Sequence, residues 1–420
     1  MKICILSFTG LDTDGRDATR ILKEMRSLAS AGHKVKAIGL RLREELPQHE
    51  FYYGAEIRRI KPALSFDRKL QRKLPKRGLI GSIKRLYTLT IKNALASGLA
   101  LFKAGWKENA DIYHCFGIYC LAPGFFLKII KRKKAIYDAY EVPHQTVRNI
   151  SSLGFFAKPL ARLVGSLEIF MASRMDCILT LPSVNDVYLN RFEKHSKNVV
   201  VLRNVPPREW NGKRDTELRR QHGGKTLFYM GAFTKAKGIL KMLEAFSIVR
   251  SDFPGVKLVL AGSFEEVKSF DNVKEQAIGY MQSHNLQDDV IITGHVPWQE
   301  MPTYLGTADI ALHLYQPLLV FTETQGSSSL FEYMAASLPV VASDFPSIRS
   351  IVKKYNCGVA VDPTKKQEIA KAILSLLNNP ELTRELGKNA RKASEQEFNW
   401  GLEEKKLLQA YGELERKLKK

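Results

Sequence analysis

The chain has 420 residues, 45% of them hydrophobic and 26% charged, and 65 Lys+Arg against 43 Asp+Glu give a formal net charge of +22. This length predicts two domains, and this hydrophobic share builds real cores, which excludes disordered and fibrous classes. The charge is uneven: residues 1–200 hold 35 Lys+Arg against 17 Asp+Glu, whereas residues 201–420 hold 30 against 26.

The N-terminal Ile3 to Phe8 reads as a buried strand, too short an apolar run for a secretory signal. A turn-forming loop, Thr9 to Gly15, follows, and Ile21, Leu22, Met25, Leu28 and Ala29 then recur at helical spacing. Gly32 ends that helix and Val35 to Leu40 starts the next strand. This is a βαβ unit, the building block of parallel sheets. A basic stretch, 58–107, interrupts the pattern. Between Arg58 and Lys92 stand twelve basic residues and one acidic one, Asp67. Within it Leu79, Ile80, Ile83, Leu86, Tyr87 and Ile91 predict an amphipathic basic helix. Such a helix lies in a membrane interface or packs on its own domain. The charge itself points to nucleic acid, a membrane surface or a phosphorylated substrate, with solubility as the plain alternative.

Strands are predicted again at Asp111–His114, Ala135–Asp138, Cys177–Leu181 and Asn198–Leu202, before the linker-like Val205-Pro206-Pro207. The second half repeats the alternation, with strands at Thr226–Met230, Val256–Ala261, Val290–Thr293, Asp309–Leu314 and Pro339–Ala342. The segment from Leu402 to Leu418 predicts a final amphipathic helix. The fold class expected is α/β: two doubly wound, Rossmann-like parallel-sheet domains facing each other across a cleft, with ligands at the carboxyl ends of the strands. The longest uncharged run, Ile112–Leu127, has 16 residues and includes His114 and Pro123. A spanning helix needs about 20 apolar residues, so any membrane contact is expected to be peripheral. Five scattered cysteines, Cys4, Cys115, Cys120, Cys177 and Cys357, suggest neither a disulfide framework nor a zinc site and fit a reducing cytoplasm.

Two segments carry chemistry. In Met230-Gly231-Ala232-Phe233-Thr234-Lys235-Ala236-Lys237-Gly238 a strand ends in glycine, a short loop brings two lysines, and a helix begins. A lysine there neutralises a diphosphate leaving group as its bond breaks; a solvated loop lysine is the ordinary alternative. In Glu323-Thr324-Gln325-Gly326-Ser327-Ser328-Ser329-Leu330-Phe331-Glu332 a Gly-Ser run opens a helix, whose N–H groups suit phosphate. Glu332 suits two ribose hydroxyls, or else marks the edge of a capped core helix.

These segments, with Leu338-Pro339-Val340-Val341-Ala342-Ser343, Asn204 after its strand, Asp14-Gly15-Arg16, Gly32-His33-Lys34-Val35, Asp111-Ile112-Tyr113-His114 and Tyr137-Asp138-Ala139-Tyr140-Glu141, resemble the family-4 glycosyltransferases. The resemblance runs in order over nearly the whole chain. It implies a GT-B fold and retaining, metal-independent, hexosyltransferase-type transfer from a nucleotide-diphosphate sugar. It implies an acceptor-binding domain at 1–203, basic and with its insertion at 58–107. A donor-binding domain follows at 204–400, and a helix at 401–420 packs back on the first domain. By position, Lys237 and Glu323 are catalytic. Gly231, Lys235, Lys237, Gly326, Ser327, Ser328, Ser329, Leu330 and Glu332 hold the nucleotide sugar, and Asp14, Arg16, His114, Tyr140 and Glu141 face the acceptor.

Four departures stand out. Ala232 occupies a position where arginine is common, and Lys235 is a point charge rather than a fork. Glu323 lies nine residues before Glu332 instead of eight. Phe116 replaces the second of two histidines, and Tyr140 replaces another; tyrosine hydrogen-bonds but is no neutral-pH base. Asp12-Thr13-Asp14 imitates a metal-binding Asp-x-Asp, but turn formation explains it. His295 and Trp298 flank a nucleotide base or pack a turn.

The function expected is transfer from a UDP- or GDP-sugar, with no metal and no other cofactor, to a lipid-linked or polysaccharide acceptor. This would occur at the cytoplasmic face of an anionic membrane and serve polysaccharide or glycolipid biosynthesis, with no nucleic-acid partner. The alternative is a catalytically impaired GT-B protein acting as a membrane or nucleic-acid scaffold.

Overall fold

Strand pairing organises the chain into two sheets, each with helices threaded between its strands. The computed structural model describes residues 1–13, 19–62, 92–140, 157–213, 215–264, 272–318 and 327–419. Two units emerge: Met1–Leu202 with Glu403–Lys420, and Arg203–Leu402. Among the described residues no helix is long and apolar enough to cross a membrane.

The first unit contains β1 (Lys2–Ser7), α1 (Thr19–Ser30), β2 (Lys34–Leu40), β3 (His49–Tyr52), β4 (Ala55–Ile60), α2 (Lys92–Glu108), β5 (Ile112–Phe116), α3 (Ile118–Lys131), β6 (Lys134–Ala139), α4 (Ala157–Ala172), β7 (Cys177–Thr180), α5 (Val187–Glu193) and β8 (Val199–Val201). Sheet order is β3-β4-β2-β1-β5-β6-β7-β8. All neighbours run parallel except β3 and β4. Fully buried Ile3 and Ile5 place β1 in the middle, flanked by β2 and β5.

The β3–β4 hairpin is absent from the sequence expectation. Its Tyr53-Gly54 turn takes positive φ at both positions, 45° and 84°, which matches strand twist in a two-residue hairpin. Strand β4 alternates buried and half-buried residues, with Arg59 among the buried ones. The Arg59 guanidinium donates to the carbonyls of Gly10, Leu11 and Pro47 and to Glu50. Arg58 pairs with Glu108. The first two cations of the basic stretch are therefore structural rather than partner-facing. The amphipathic segment Leu79–Ile91 lies outside the described residues.

A buried ionic cluster ties α1, β5 and β6 together. Arg20 pairs with Glu24 at 2.9 Å and with Asp138 at 2.8 Å, and donates to Leu202 O. All three side chains are fully buried. His114 joins through Nδ1, 2.7 Å from the hydroxyl of Tyr411. Tyr411 belongs to the last helix, α14 below, whose Leu407 and Leu414 are also buried. Burial, then Asp138, push the Glu24 carboxyl up to about 7 against the pull of Arg20.

The second unit contains α6 (Thr216–His222), β9 (Thr226–Met230), α7 (Ile239–Asp252), β10 (Lys257–Ala261), α8 (Val273–Ser283), β11 (Val290–Gly294), α9 (Met301–Leu305), β12 (Ile310–His313), α10 (Ser328–Ala335), β13 (Val340–Ser343), α11 (Pro346–Tyr355), β14 (Gly358–Val361), α12 (Lys366–Leu377) and α13 (Pro380–Gln396). Helix α14 (Trp400–Leu418) completes the chain. Its sheet, β11-β10-β9-β12-β13-β14, is wholly parallel. Apolar clusters cover both faces, one around Phe228, Tyr333 and Leu330, the other around Leu227, Phe246 and Ile373. Strand order reverses between β9 and β12, so the crevice at their carboxyl ends is where a ligand fits.

Arg20→Met removes the cation from two buried carboxylates. The expected cost is ~3–5 kcal/mol of folding free energy, because an unpaired buried charge is left behind. Urea denaturation of the variant against the wild type checks it.

Candidate functional site

The site of the second unit is built at the ends of β9 and β12. After β9 the chain turns at Gly231 and reaches Gly238, which opens α7 with φ 78°. A Cβ on Gly238 would stand 2.0 Å from the carbonyl oxygen of Leu314, so only glycine lets the loop approach the end of β12 this closely. A backbone bond from Gln316 N to Ala236 O, 2.8 Å, fastens the two segments. The Lys237 ammonium consequently sits 3.8 Å from the centroid of the Tyr315 ring. Lys235 lies on the same loop and is exposed to solvent.

Tyr315 joins the two sequence segments. Its hydroxyl is 3.3 Å from Ser329 Oγ, and Ser329 is 2.8 Å from Ser327 Oγ. Ser327 is in turn 2.6 Å from His313 Nε2, whose ring stacks on Tyr315 with centroids 4.1 Å apart. Burial alone would raise the Tyr315 phenol; the Lys237 ammonium and the Ser327 and Ser329 hydroxyls overrule it and hold it below its ordinary value. Burial, then Lys237, push the His313 imidazole down to about 3. The centre is thus one cation surrounded by hydroxyls and a neutral imidazole. Fixed donors and a fixed charge of this kind stabilise an anion, because they need no reorganisation when negative charge arrives.

Glu332 lies one helical turn further on, 6% exposed, and accepts a bond from Trp298 Nε1 at 3.1 Å. Trp298 packs on Trp210 with centroids 4.2 Å apart. Ser328 is half-buried at the start of α10. Leu330 corrects an expectation: it is fully buried in the core and shows no surface to a ligand. Its backbone N–H instead closes the first helical turn on Ser327 O. Gly326 and Glu323 lie outside the described residues. His313 and Tyr315 escape sequence reasoning, because an isolated His and Tyr at a strand end carry no motif. Trp298 stands in a legible turn, but the sequence alone gives it no partner.

In the first unit, His114 is also corrected. It is fully buried beside Glu24 and Asp138, so it offers no surface to an acceptor. Ligand atoms of Glu24, His114 and Asp138 lie within 4.8 Å of one another, a grouping able to hold a metal ion, although Arg20 already pairs with both carboxylates. Tyr140 stacks on Phe116 with centroids 5.0 Å apart, and Arg20 lies 5.6 Å from its ring. The two residues that replace histidines therefore pack on each other. Asp14, Arg16 and Glu141 lie outside the described residues. Asp12, the first carboxylate of the Asp-x-Asp sequence, is buried and paired with Arg43. All five cysteines are buried, and none is joined in a disulfide.

Below pH 6.5 an unfolded chain protonates His313, whereas the folded chain resists until about pH 3. Stability is therefore lost as pH falls through this window, by up to ~1.4 kcal/mol per pH unit. His313→Gln removes that penalty, so its stability relative to wild type is expected to improve from pH 7 to pH 4.5. Urea midpoints across the range check this, and parallel profiles would refute it.

Residues 213–393 match the family model described as glycosyl transferases group 1. Glycogen synthase of Mycobacterium tuberculosis is 24% identical over 332 residues, 76% of this chain and 73% of that protein. Alpha-monoglucosyldiacylglycerol synthase of Streptococcus pneumoniae is 31% identical over 162 residues, 39% of this chain and 33% of that protein. Among solved structures, sucrose-phosphate synthase from Thermosynechococcus elongatus superposes with a TM-score of 0.74 at 20% identity, covering 99% of both chains. Anabaena HepE in complex with UDP superposes with a TM-score of 0.69 at 14% identity, covering 98% of this chain and 100% of that one. The two-sheet architecture is that of GT-B glycosyltransferases, residues 213–393 carry the group 1 match, and the chain is a glycosyltransferase.

Proposed function

We propose that the protein is a retaining glycosyltransferase of the family-4 type. It takes its donor from the UDP- or GDP-sugars and its acceptor from lipid-linked or polysaccharide glycans at the cytoplasmic face of an anionic membrane. The observation that carries this reading is the convergence of Lys237, Tyr315, Ser327 and Ser329 at the strand-order reversal. A donor diphosphate bound there meets the ammonium and the start of α10 together. Glu332, restrained by Trp298, suits the ribose hydroxyls.

The chemistry follows from these positions. As the bond between the anomeric carbon and the phosphate oxygen breaks, negative charge grows on the diphosphate and Lys237 neutralises it, with no metal required. The acceptor oxygen bonds to the anomeric carbon on the face the phosphate leaves, which retains configuration. Its proton passes to the departing phosphate oxygen. This route suits a chain in which Phe116 and Tyr140 form an aromatic stack rather than supply a base. HepE complexes with UDP and with UDP-glucose on the same fold support a nucleotide-sugar donor. The S. pneumoniae monoglucosyldiacylglycerol synthase supports a lipid-linked acceptor.

A panel of UDP-, GDP- and ADP-sugars tests the reading by thermal shift and product analysis. One donor is expected to stabilise the protein, and Glu332→Ala to abolish the shift. Lys237→Ala is expected to lower kcat about 10²–10³-fold, in line with loss of one charge-stabilising group. No stabilisation by any donor would sink the proposal.

A further inference from the structure

Helices α2, α3 and α4 pack side by side on the first sheet, and α2 turns mostly small residues inward. Its inward face carries Asn93, Ser97, Gly98, Leu101, Ala104 and Gly105. A Cβ on Gly105 would lie 2.9 Å from Leu127 of α3, and one on Gly98 would lie 3.6 Å from Pro123. Small residues and Leu101 thus seat the helix, and three of its large apolar residues, Leu95, Leu99 and Trp106, face water. Helix α3 exposes Phe126, Ile129 and Ile130, and α4 exposes Leu163, Leu167 and Phe170. These nine side chains are 42–68% exposed and form stripes on three neighbouring helices rather than scattered single residues.

The charges on these helices have one dominant sign. Lys92, Lys103 and Lys107 lie on α2, Lys128 and Lys131 on α3, and Lys158 and Arg162 on α4. Lys128 is held by Asp176 beyond the end of α4. The acidic residues of the three helices are Glu108 and Glu168, both turned inward and ion-paired, with Lys36 and Arg191. Lys131 Nζ lies 4.9 Å from the Trp106 ring, and the Arg174 guanidinium lies 3.8 Å from that of Phe170.

We infer that the outer face of α2, α3 and α4 is the surface by which this protein lies on an anionic lipid bilayer. Apolar stripes enter the headgroup boundary while the lysine stems reach along them and leave their ammonium groups among the lipid phosphates. Each cation contributes about 1 kcal/mol near such a leaflet. A second copy of the chain is the poorer occupant, since a two-fold pairing of this face brings like charges together. Cores of protein interfaces are moreover depleted in lysine. The inference rests on the membrane-face part of the proposed function and assigns it to three helices, of which α2 overlaps the basic stretch 58–107 and α3 and α4 lie beyond it.

Flotation with vesicles of 70% phosphatidylcholine and 30% phosphatidylglycerol tests it, using wild type, the triple variant Leu99→Ser/Ile130→Ser/Leu167→Ser, and a charge variant Lys103→Gln/Lys131→Gln/Arg162→Gln. Wild type is expected to bind, and more weakly in high salt or on pure phosphatidylcholine. The serine variant is expected to lose at least about tenfold in partitioning, ~1.4 kcal/mol, with circular dichroism and donor thermal shift unchanged. The glutamine variant keeps the apolar stripes and is expected to bind with a clearly weaker salt dependence than wild type, and an unchanged salt dependence overturns the role of these cations. Serine-variant binding equal to wild type overturns the assignment but leaves membrane action standing. Absence of wild-type binding overturns both and leaves donor binding untouched. A fall in oligomeric state in the serine variant with vesicle binding intact shows a protein interface and overturns the inference.

Discussion

The candidate site depends on one close contact, the Lys237 ammonium over the ring of Tyr315. Two segments far apart in sequence become one electrostatic unit through it. The loop after β9 brings the charge, and the segment after β12 brings the ring that meets the serines of α10. A cation on a desolvated aromatic face contributes about 2 kcal/mol or more. Its larger effect is positional, since the ammonium is held beside hydroxyls before any anion arrives. That position requires the close passage of Gly238 against Leu314, where a side chain would collide with a backbone carbonyl. The same lysine helps keep the His313 imidazole neutral, so the centre carries a single, localised positive charge.

The first unit uses charge in another way. Inside, Arg20 and Arg59 are consumed by the fold. One pairs with two carboxylates and the other satisfies three carbonyls of loop residues. Outside, the cations of α2 to α4 border apolar stripes, and the two acids of those helices are turned inward. The strong positive balance of residues 1–200 therefore has two physical origins, and net charge alone does not separate them. A buried arginine needs internal acceptors; a fringe lysine needs water or an anionic partner.

Local features of the sequence are good guides to the elements. The alternation of apolar runs and helical spacing marks both parallel sheets, because a strand covered on both faces must be continuously apolar. It hides the β3–β4 hairpin, where arginines occupy positions that normally carry apolar residues, one of them turned inward. The strand Gly358–Val361 escapes as well, being four residues long and only partly buried. Hydrophobicity equally suggests that the large apolar residues of α2 face the core. The structure turns only Leu101 fully inward and leaves Leu95, Leu99 and Trp106 exposed, because glycines and small residues bring that helix close to its neighbour.

Residue patterns within short stretches determine the chain's fold class and mark the residues of the candidate site. Gly231, Lys237, Gly238, the serine run and Glu332 are all legible, since glycine, lysine and helix-start serines act through backbone geometry within a few residues. Packing then selects which of them meet. His313 and Tyr315 complete the centre, Trp298 restrains Glu332, Leu330 retreats into the core, and His114 disappears beneath the last helix. These outcomes depend on strand order and on the depth to which each side chain is buried. Neither is encoded in any short stretch of residues, because both arise only when segments separated by tens to hundreds of positions pack together.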